Sequence, residues 1–190
     1  MDSLNQQLFL LINAAHQPGS FLMSITKGIA EIPLVIVPVC LLALWFTSSR
    51  GKAVAFHAAL ATVLALTTNL LISLLWYHNR PFADHLGLQL IAHVTDSSFP
   101  SDHVTLMAGI GFAIGRDKTY RLLAGVILAL SALTGWARVY VGVHYPFDIL
   151  GAYLVSGAVV WGYFQWLSAR FTPLLNGLIN IEHAVLHRGR

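Results

Sequence analysis

The chain has 190 residues, 56% of them hydrophobic and only 10% charged, with a mean hydropathy of +0.68. Soluble domains carry about 25% charged residues, so a water-soluble globule is excluded and one membrane-embedded domain over residues 1–190 is expected. The formal charge of +3 comes from cations scattered between apolar segments, which argues against a nucleic-acid partner and for a topology signal.

The opening MDSLNQQLFLLINAA lacks the basic start of a cleaved signal peptide, so the first span is expected to direct insertion and to be retained. Asn5 to Ala15 reads as a short helix, half inserted or lying along the surface, ahead of His16-Gln17-Pro18-Gly19. Hydrophobic segments then run roughly over 20–47, 53–77, 103–115, 120–137 and 148–168. A full crossing takes about 20 apolar residues, for which 103–115 is short. The expected fold is all-α: a polytopic bundle of five to six transmembrane helices. Cys40 lies inside an apolar run and has no second cysteine to pair with, so it reads as a small buried hydrophobe. No Cys/His spacing of a metal site appears, and neither metal nor cofactor is expected. The tail, residues 170–190, has the apolar spacing of an amphipathic helix on the inner membrane surface (Leu174, Leu175, Leu178, Ile179, Val185, Leu186).

Threading the spans back and forth puts Arg50, Lys52, Arg116, Lys118, Arg121 and Arg170 on one face, which the positive-inside rule makes cytoplasmic. The opposite, outer face then receives residues 78–102 and 138–147, and with them three polar clusters. Polar and ionisable groups at membrane depth are costly, so their presence there argues for function.

Each cluster has a chemical reading and a plainer one. In ARVYVGVHYPFD (Ala137 to Asp148), His144 and Asp148 are four apart, so a carboxylate can fix one imidazole nitrogen and leave the other as base or nucleophile. Arg138, six residues before His144, can lay a planar fork on phosphate oxygens. The plainer reading is a polar network capping two helices. In FPSDH, Ser101 and the helix start offer donors to an anion, and His103 can protonate a leaving oxygen. Ser101-Asp102 is also ordinary capping chemistry. In NRPF, Arg80 reads either as an interfacial anchor or, with Arg138, as half of a phosphate clamp.

Together these stretches resemble the type 2 phosphatidic acid phosphatase (PAP2) superfamily. Its signature is Lys-x6-Arg-Pro, then Pro-Ser-Gly-His, then Ser-Arg-x5-His-x3-Asp; SLLWYHNRP, PSDH and ARVYVGVHYPFD match it in order from Ser73 to Asp148. The resemblance implies that His144 is the nucleophile, oriented by Asp148, that His103 protonates the leaving group, and that Arg80, Ser101 and Arg138 hold phosphate oxygens. It also implies catalysis without a metal. Three positions depart from the signature: Ser73 stands for the Lys, Asp102 for the Gly and Ala137 for the Ser. Asp102 would repel a phosphate unless it pairs with Arg80 or His78 or binds a cation. The lead-in HVTDSSF from His93 resembles the bacitracin-resistance undecaprenyl-diphosphate phosphatase branch, which places His93 and Asp96 either at the border of the site or in a loop-folding role. That branch implies a bacterial inner membrane, an outward-facing site, an isoprenoid lipid diphosphate as substrate and a role in recycling the lipid carrier of cell-wall synthesis. Two rival readings use the same residues. One is a phosphatase or phosphotransferase for another lipid phosphate (phosphatidylglycerophosphate, phosphatidic acid or a lipid A relative). The other is a lipid-phosphate binder or transporter without chemistry.

Overall fold

The computed structural model describes residues 2–187, which form helices and loops with no strand among them. The short α1 (Asp2–Ile12) is followed by α2 (Ser20–Glu31) and α3 (Pro33–Trp45), which meet at a 48° bend. Then come α4 (Ser49–Leu75), α5 (Asp102–Ile114), α6 (Arg121–Tyr140) and α7 (Pro146–Gly162). A π-helical turn at Tyr163–Leu167 leads directly into α8 (Ser168–His187). The expected C-terminal helix is present, but as a continuation of the last span: Pro146–Val185 is one 40-residue helix. It is tied back to the start of α4 by the Lys52–Glu182 ion pair. The last three tail residues, 188–190, lie outside the described residues.

By length and apolarity, three helices can cross a membrane, or four if the bent α2–α3 pair counts as one span. The remaining expected span, α5, has 13 residues; at about 1.5 Å per residue it reaches about 20 Å, short of a hydrocarbon core of about 30 Å. Its surroundings explain how so short a helix is stable there. Nine of its residues, from Val104 to Ile114, are buried, because α4, α6 and α7 pack round it. Its sides meet protein rather than lipid, so its length need not match the bilayer.

Close packing round α5 follows from small residues. A stripe of Ala55, Ala58, Ala61, Thr62, Ala65 and Asn69 runs down the buried face of α4. Opposite it sits Gly109, where an added Cβ would come within 2.9 Å of Thr62 Oγ1. Small residues let helix backbones approach where no hydrophobic effect drives association. Larger side chains (Met107, Ile110, Ile114, Ile127, Val160, Tyr163) fill the core, from one turn beyond His103 to the end of α5. Outward-facing Leu70, Leu71, Leu74, Leu154 and Trp161 form the lipid-exposed surface.

The loop from Trp76 to Ser101 is long but pinned. Asn13, at the end of α1, donates from Nδ2 to the carbonyls of Leu88 (2.9 Å) and Tyr140 (3.0 Å), and its Oδ1 accepts from Leu88 N (2.7 Å). Leu90 N donates to the Val141 carbonyl at 2.9 Å. Between these anchors Gly142 has φ 84°, and a Cβ there would meet the Leu88 carbonyl oxygen at 2.2 Å. Only glycine fits this left-handed position against a neighbouring backbone. The turn it makes delivers Val143 and His144 to the end of the bundle.

Candidate active site

All three polar clusters meet at one end of the bundle. Six cation-bearing positions of the sequence fall in segments at or beyond the other: Arg50 pairs there with Asp117 (3.7 Å) and Thr119 (2.7 Å), which brings the start of α4 against the α5–α6 turn.

His144 sits two residues ahead of α7, 2% exposed. Pro146 opens the helix at N1, where its missing N–H costs nothing, and Asp148 is the N3 residue of a capping box with Tyr145. Asp148 Oδ2 accepts from Tyr145 N at 2.7 Å and lies 3.3 Å from His144 Nδ1. The four-residue spacing is therefore realised across the loop-to-helix junction, and the helix start itself aims the carboxylate. On the other side of the ring, Arg80 Nη1 approaches His144 Nε2 at 3.2 Å. A carboxylate accepts and a guanidinium donates, so the proton belongs on Nδ1 and the Nε2 lone pair faces the site. Burial above all, then the Arg138 and Arg80 guanidiniums, hold His144 well below the ordinary imidazole range. Depressed in this way the ring favours its neutral form, with the unprotonated Nε2 turned to Arg80.

Arg80 is 5% exposed and fixed on four sides. Besides His144 it donates from Nε to Asp96 Oδ1 (2.7 Å), from Nη1 to the Val143 carbonyl (2.8 Å) and from Nη2 to the Ser97 carbonyl (3.3 Å). An interfacial anchor would reach toward solvent; this side chain points inward and joins the two loops. Arg138, in the last turn of α6, is buried at 2% exposed, and among the described residues nothing accepts from its Nε. Ser101 is fully buried, its Oγ also without a partner, and its side chain does not cap α5 although it stands at the N-cap. Its backbone N donates to the Asp148 carbonyl at 3.2 Å, which ties the second cluster to the third. Buried polar groups are normally satisfied, so an unpaired guanidinium nitrogen and an unpaired hydroxyl at this end of the bundle are donors available to an anionic group.

His103, in the first turn of α5, is half-buried within electrostatic reach of Arg138, His93 and Arg80. His93 lies 3.7 Å from Asp96, and its burial, with the nearby Arg80 and Arg138 charges, lowers its pKa. Asp96 of the HVTDSSF lead-in pairs with Arg80, a contact that serves loop folding as well as it would the border of a site. Asp102 pairs with neither Arg80 nor His78. It is exposed and accepts from Asn69 Nδ2 at 2.9 Å, the same amide that reaches Thr105 Oγ1 at 2.8 Å. Ser73, at the position of the signature Lys, donates to the Phe99 carbonyl at 3.1 Å and so supports the Pro100–Ser101 loop. His78 packs edge-on against Trp76, at 4.3 Å between ring centroids. It lines an apolar cavity of about 420 Å³ with Trp76, Phe99, Phe147, Leu150 and Leu154 that reaches Asp148.

Sequence reasoning passed over Asn69, fully buried in the last third of an apolar helix. A polar amide at that depth is itself a signal. It also passed over Asp84, which accepts from Tyr145 Oη (2.9 Å) and Asn79 Nδ2 (2.8 Å); nothing in the spacing of those residues announces the contact.

The model of the PAP2 superfamily matches residues 52–172, from the start of α4 into α8. The undecaprenyl-diphosphatase BcrC of Bacillus subtilis is 30% identical over 186 residues, covering 97% of this chain and 95% of that protein. The putative undecaprenyl-diphosphatase YbjG of Escherichia coli is 31% identical over 169 residues, covering 85% and 84%. Among solved structures, Aquifex aeolicus LpxE superposes with a TM-score of 0.66 at 23% identity, over 86% of this chain and 96% of that one. A PAP2-type phosphatidylglycerolphosphate phosphatase from Bacillus subtilis does so with a TM-score of 0.63 at 18% identity, over 87% of each. The matched region holds every residue of the three clusters, and with a family match over more than half its length the chain belongs to the PAP2 superfamily of membrane phosphatases.

Proposed function

We propose that the protein hydrolyses undecaprenyl diphosphate to undecaprenyl phosphate and inorganic phosphate, through a phosphohistidine on His144. The observation that carries this reading is the orientation of His144: Nδ1 turned to Asp148, and Nε2 turned to Arg80. The distal phosphoryl group docks between Arg80, Arg138 and Ser101. Nε2 attacks its phosphorus, the bond to the bridging oxygen breaks, and that oxygen leaves on the lipid monophosphate with a proton from His103. The diphosphate's own negative charge, set among the guanidiniums, favours the protonated His103 that this step needs. In the second half His103 takes a proton from water, the oxygen attacks phosphorus, and Nε2 leaves with its lone pair restored. Developing charge on the phosphoryl oxygens is met throughout by donors already in place.

The lipid assignment is supported by the names of the two curated relatives and by the apolar cavity beside Asp148, which offers hydrocarbon-lined space to an isoprenoid tail. Phosphate release from C55 isoprenyl diphosphate and from phosphatidic acid, each in EDTA and with added divalent cations, tests it. The diphosphate should be preferred by about tenfold or more, since a second phosphoryl group adds at least one charge-assisted hydrogen bond. Activity should persist in EDTA. Equal or faster turnover of phosphatidic acid, or a strict cation requirement, would overturn the assignment.

The site faces the outside of a bacterial inner membrane in this reading, because Arg50, Lys52, Arg116, Lys118 and Arg121 lie toward the opposite end. In a Cys40→Ser background, a cysteine at exposed Ala92 should react with an impermeant maleimide added to intact spheroplasts. Labelling only after lysis would reverse the orientation.

A further inference from the structure

At the end of the bundle away from His144, a cavity of about 340 Å³ opens between α4, the end of α5 and the π-helical turn, lined by Arg50, His57, Arg116, Asp117 and Phe164 among others. Its two arginines differ. Arg50 is engaged, donating to Thr119 Oγ1 at 2.7 Å and facing Asp117 at 3.7 Å. Arg116 has no carboxylate or carbonyl partner among the described residues; its guanidinium lies over the Phe164 ring, 5.5 Å from the centroid.

A second observation concerns the helix beside it. Tyr163–Leu167 form a π-helical turn inside an otherwise continuous helix. Such turns are rare inside α-helices and recur at functional sites. Here the turn places Phe164 in the cavity wall beneath Arg116, while Tyr163 Oη, behind that wall, reaches His57 Nδ1 at 2.7 Å. Tyr163 is buried and His57 half-buried, so the pair is part of the packed wall. With Asp117 matched to Arg50, the cavity keeps an excess positive charge on Arg116, and His57 adds a polar ring. Ala53, Val54 and Phe164 give it an apolar wall. Cationic forks above an apolar wall at a membrane boundary fit a phosphate that carries acyl chains.

We propose that this cavity binds the phosphate of an anionic phospholipid in the leaflet opposite the catalytic end. The assignment does not depend on the substrate reading. The full-length protein, delipidated and then titrated with phosphatidylglycerol, is examined by native mass spectrometry beside Arg116→Gln and Arg116→Lys. Wild type should retain one lipid at about tenfold lower lipid concentration than Arg116→Gln, the loss expected for one charge-assisted hydrogen bond. Arg116→Lys, which keeps the charge but not the fork, should fall between them. Phosphatidylcholine should show no such ranking. Lipid-diphosphate hydrolysis in detergent should be the same in all three proteins, which also shows that they are folded. Displacement of the lipid by excess inorganic phosphate would mark a free-phosphate site of the same chemistry; persistence of the lipid marks the headgroup. Equal phosphatidylglycerol retention by wild type and both variants overturns the proposal.

Discussion

His144→Asn is expected to lower lipid-diphosphate hydrolysis by about 10⁴-fold or more, the loss typical when the group that makes the covalent intermediate is removed. Asparagine keeps the polar end that faces Asp148 and much of the ring's volume, so the variant should fold and unfold as wild type does. What disappears is Nε2, the nitrogen set toward the phosphate clamp by Arg80 at 3.2 Å. His103→Asn should cost less, about 10²–10⁴-fold, because it removes only proton transfer. The two variants separate in a trapping experiment. Rapid quenching in base should recover phosphate bound to protein from wild type, and none from His144→Asn. The pH profile adds an independent check with a definite sign. Burial and the two guanidiniums hold His144 below its ordinary value, so the reactive neutral ring persists on acidification, and its acid limb should lie below about pH 6.5. Appreciable turnover by folded His144→Asn protein would defeat the mechanism.

Much of this site was legible in the sequence because its chemistry depends on local spacing. His144 and Asp148 are four positions apart at the start of α7, and Ser101, Asp102 and His103 stand at the start of one helix. Arg80 was ambiguous for the opposite reason: its anchors, Asp96, Ser97 and Val143, are distant in sequence or offer only carbonyls, which carry no residue signature. Asp102 shows the same limit. Its expected partners were charged groups at the site, yet the structure gives it to Asn69, a residue 33 positions away on the small-residue face of α4. The helices themselves followed from hydropathy. Hydropathy also marked 103–115 as short for a crossing, but not why: α5 is surrounded by protein, which hydropathy does not measure. The union of α7 and α8 through a π turn was out of reach: the segment 148–168 and the tail from 170 read as separate, whereas the helix runs on through Pro173.

Arg138 supports the second large prediction, which sets stability against function. The side chain is 2% exposed with an unpartnered Nε, and a buried charge without a matched partner costs more in desolvation than it regains. It is retained, on this reading, for the phosphate. Arg138→Met should therefore raise the thermal midpoint of the ligand-free protein, by the equivalent of about 1–4 kcal/mol, while reducing hydrolysis by about 10²–10³-fold through loss of a donor aimed at the transferring group. Arg138→Lys is the stricter comparison. It keeps the charge that helps to hold His144 neutral, but it replaces a rigid two-pronged donor with a mobile ammonium. Its hydrolysis should fall almost as far, with its acid limb unmoved, whereas Arg138→Met should shift that limb to higher pH because one of the charges opposing protonation of His144 has gone. Thermal unfolding with and without a non-hydrolysable lipid phosphonate completes the test: wild type should gain stability from the ligand, Arg138→Met little. A destabilised Arg138→Met that still binds the phosphonate would make Arg138 a structural residue and leave the clamp to Arg80 alone.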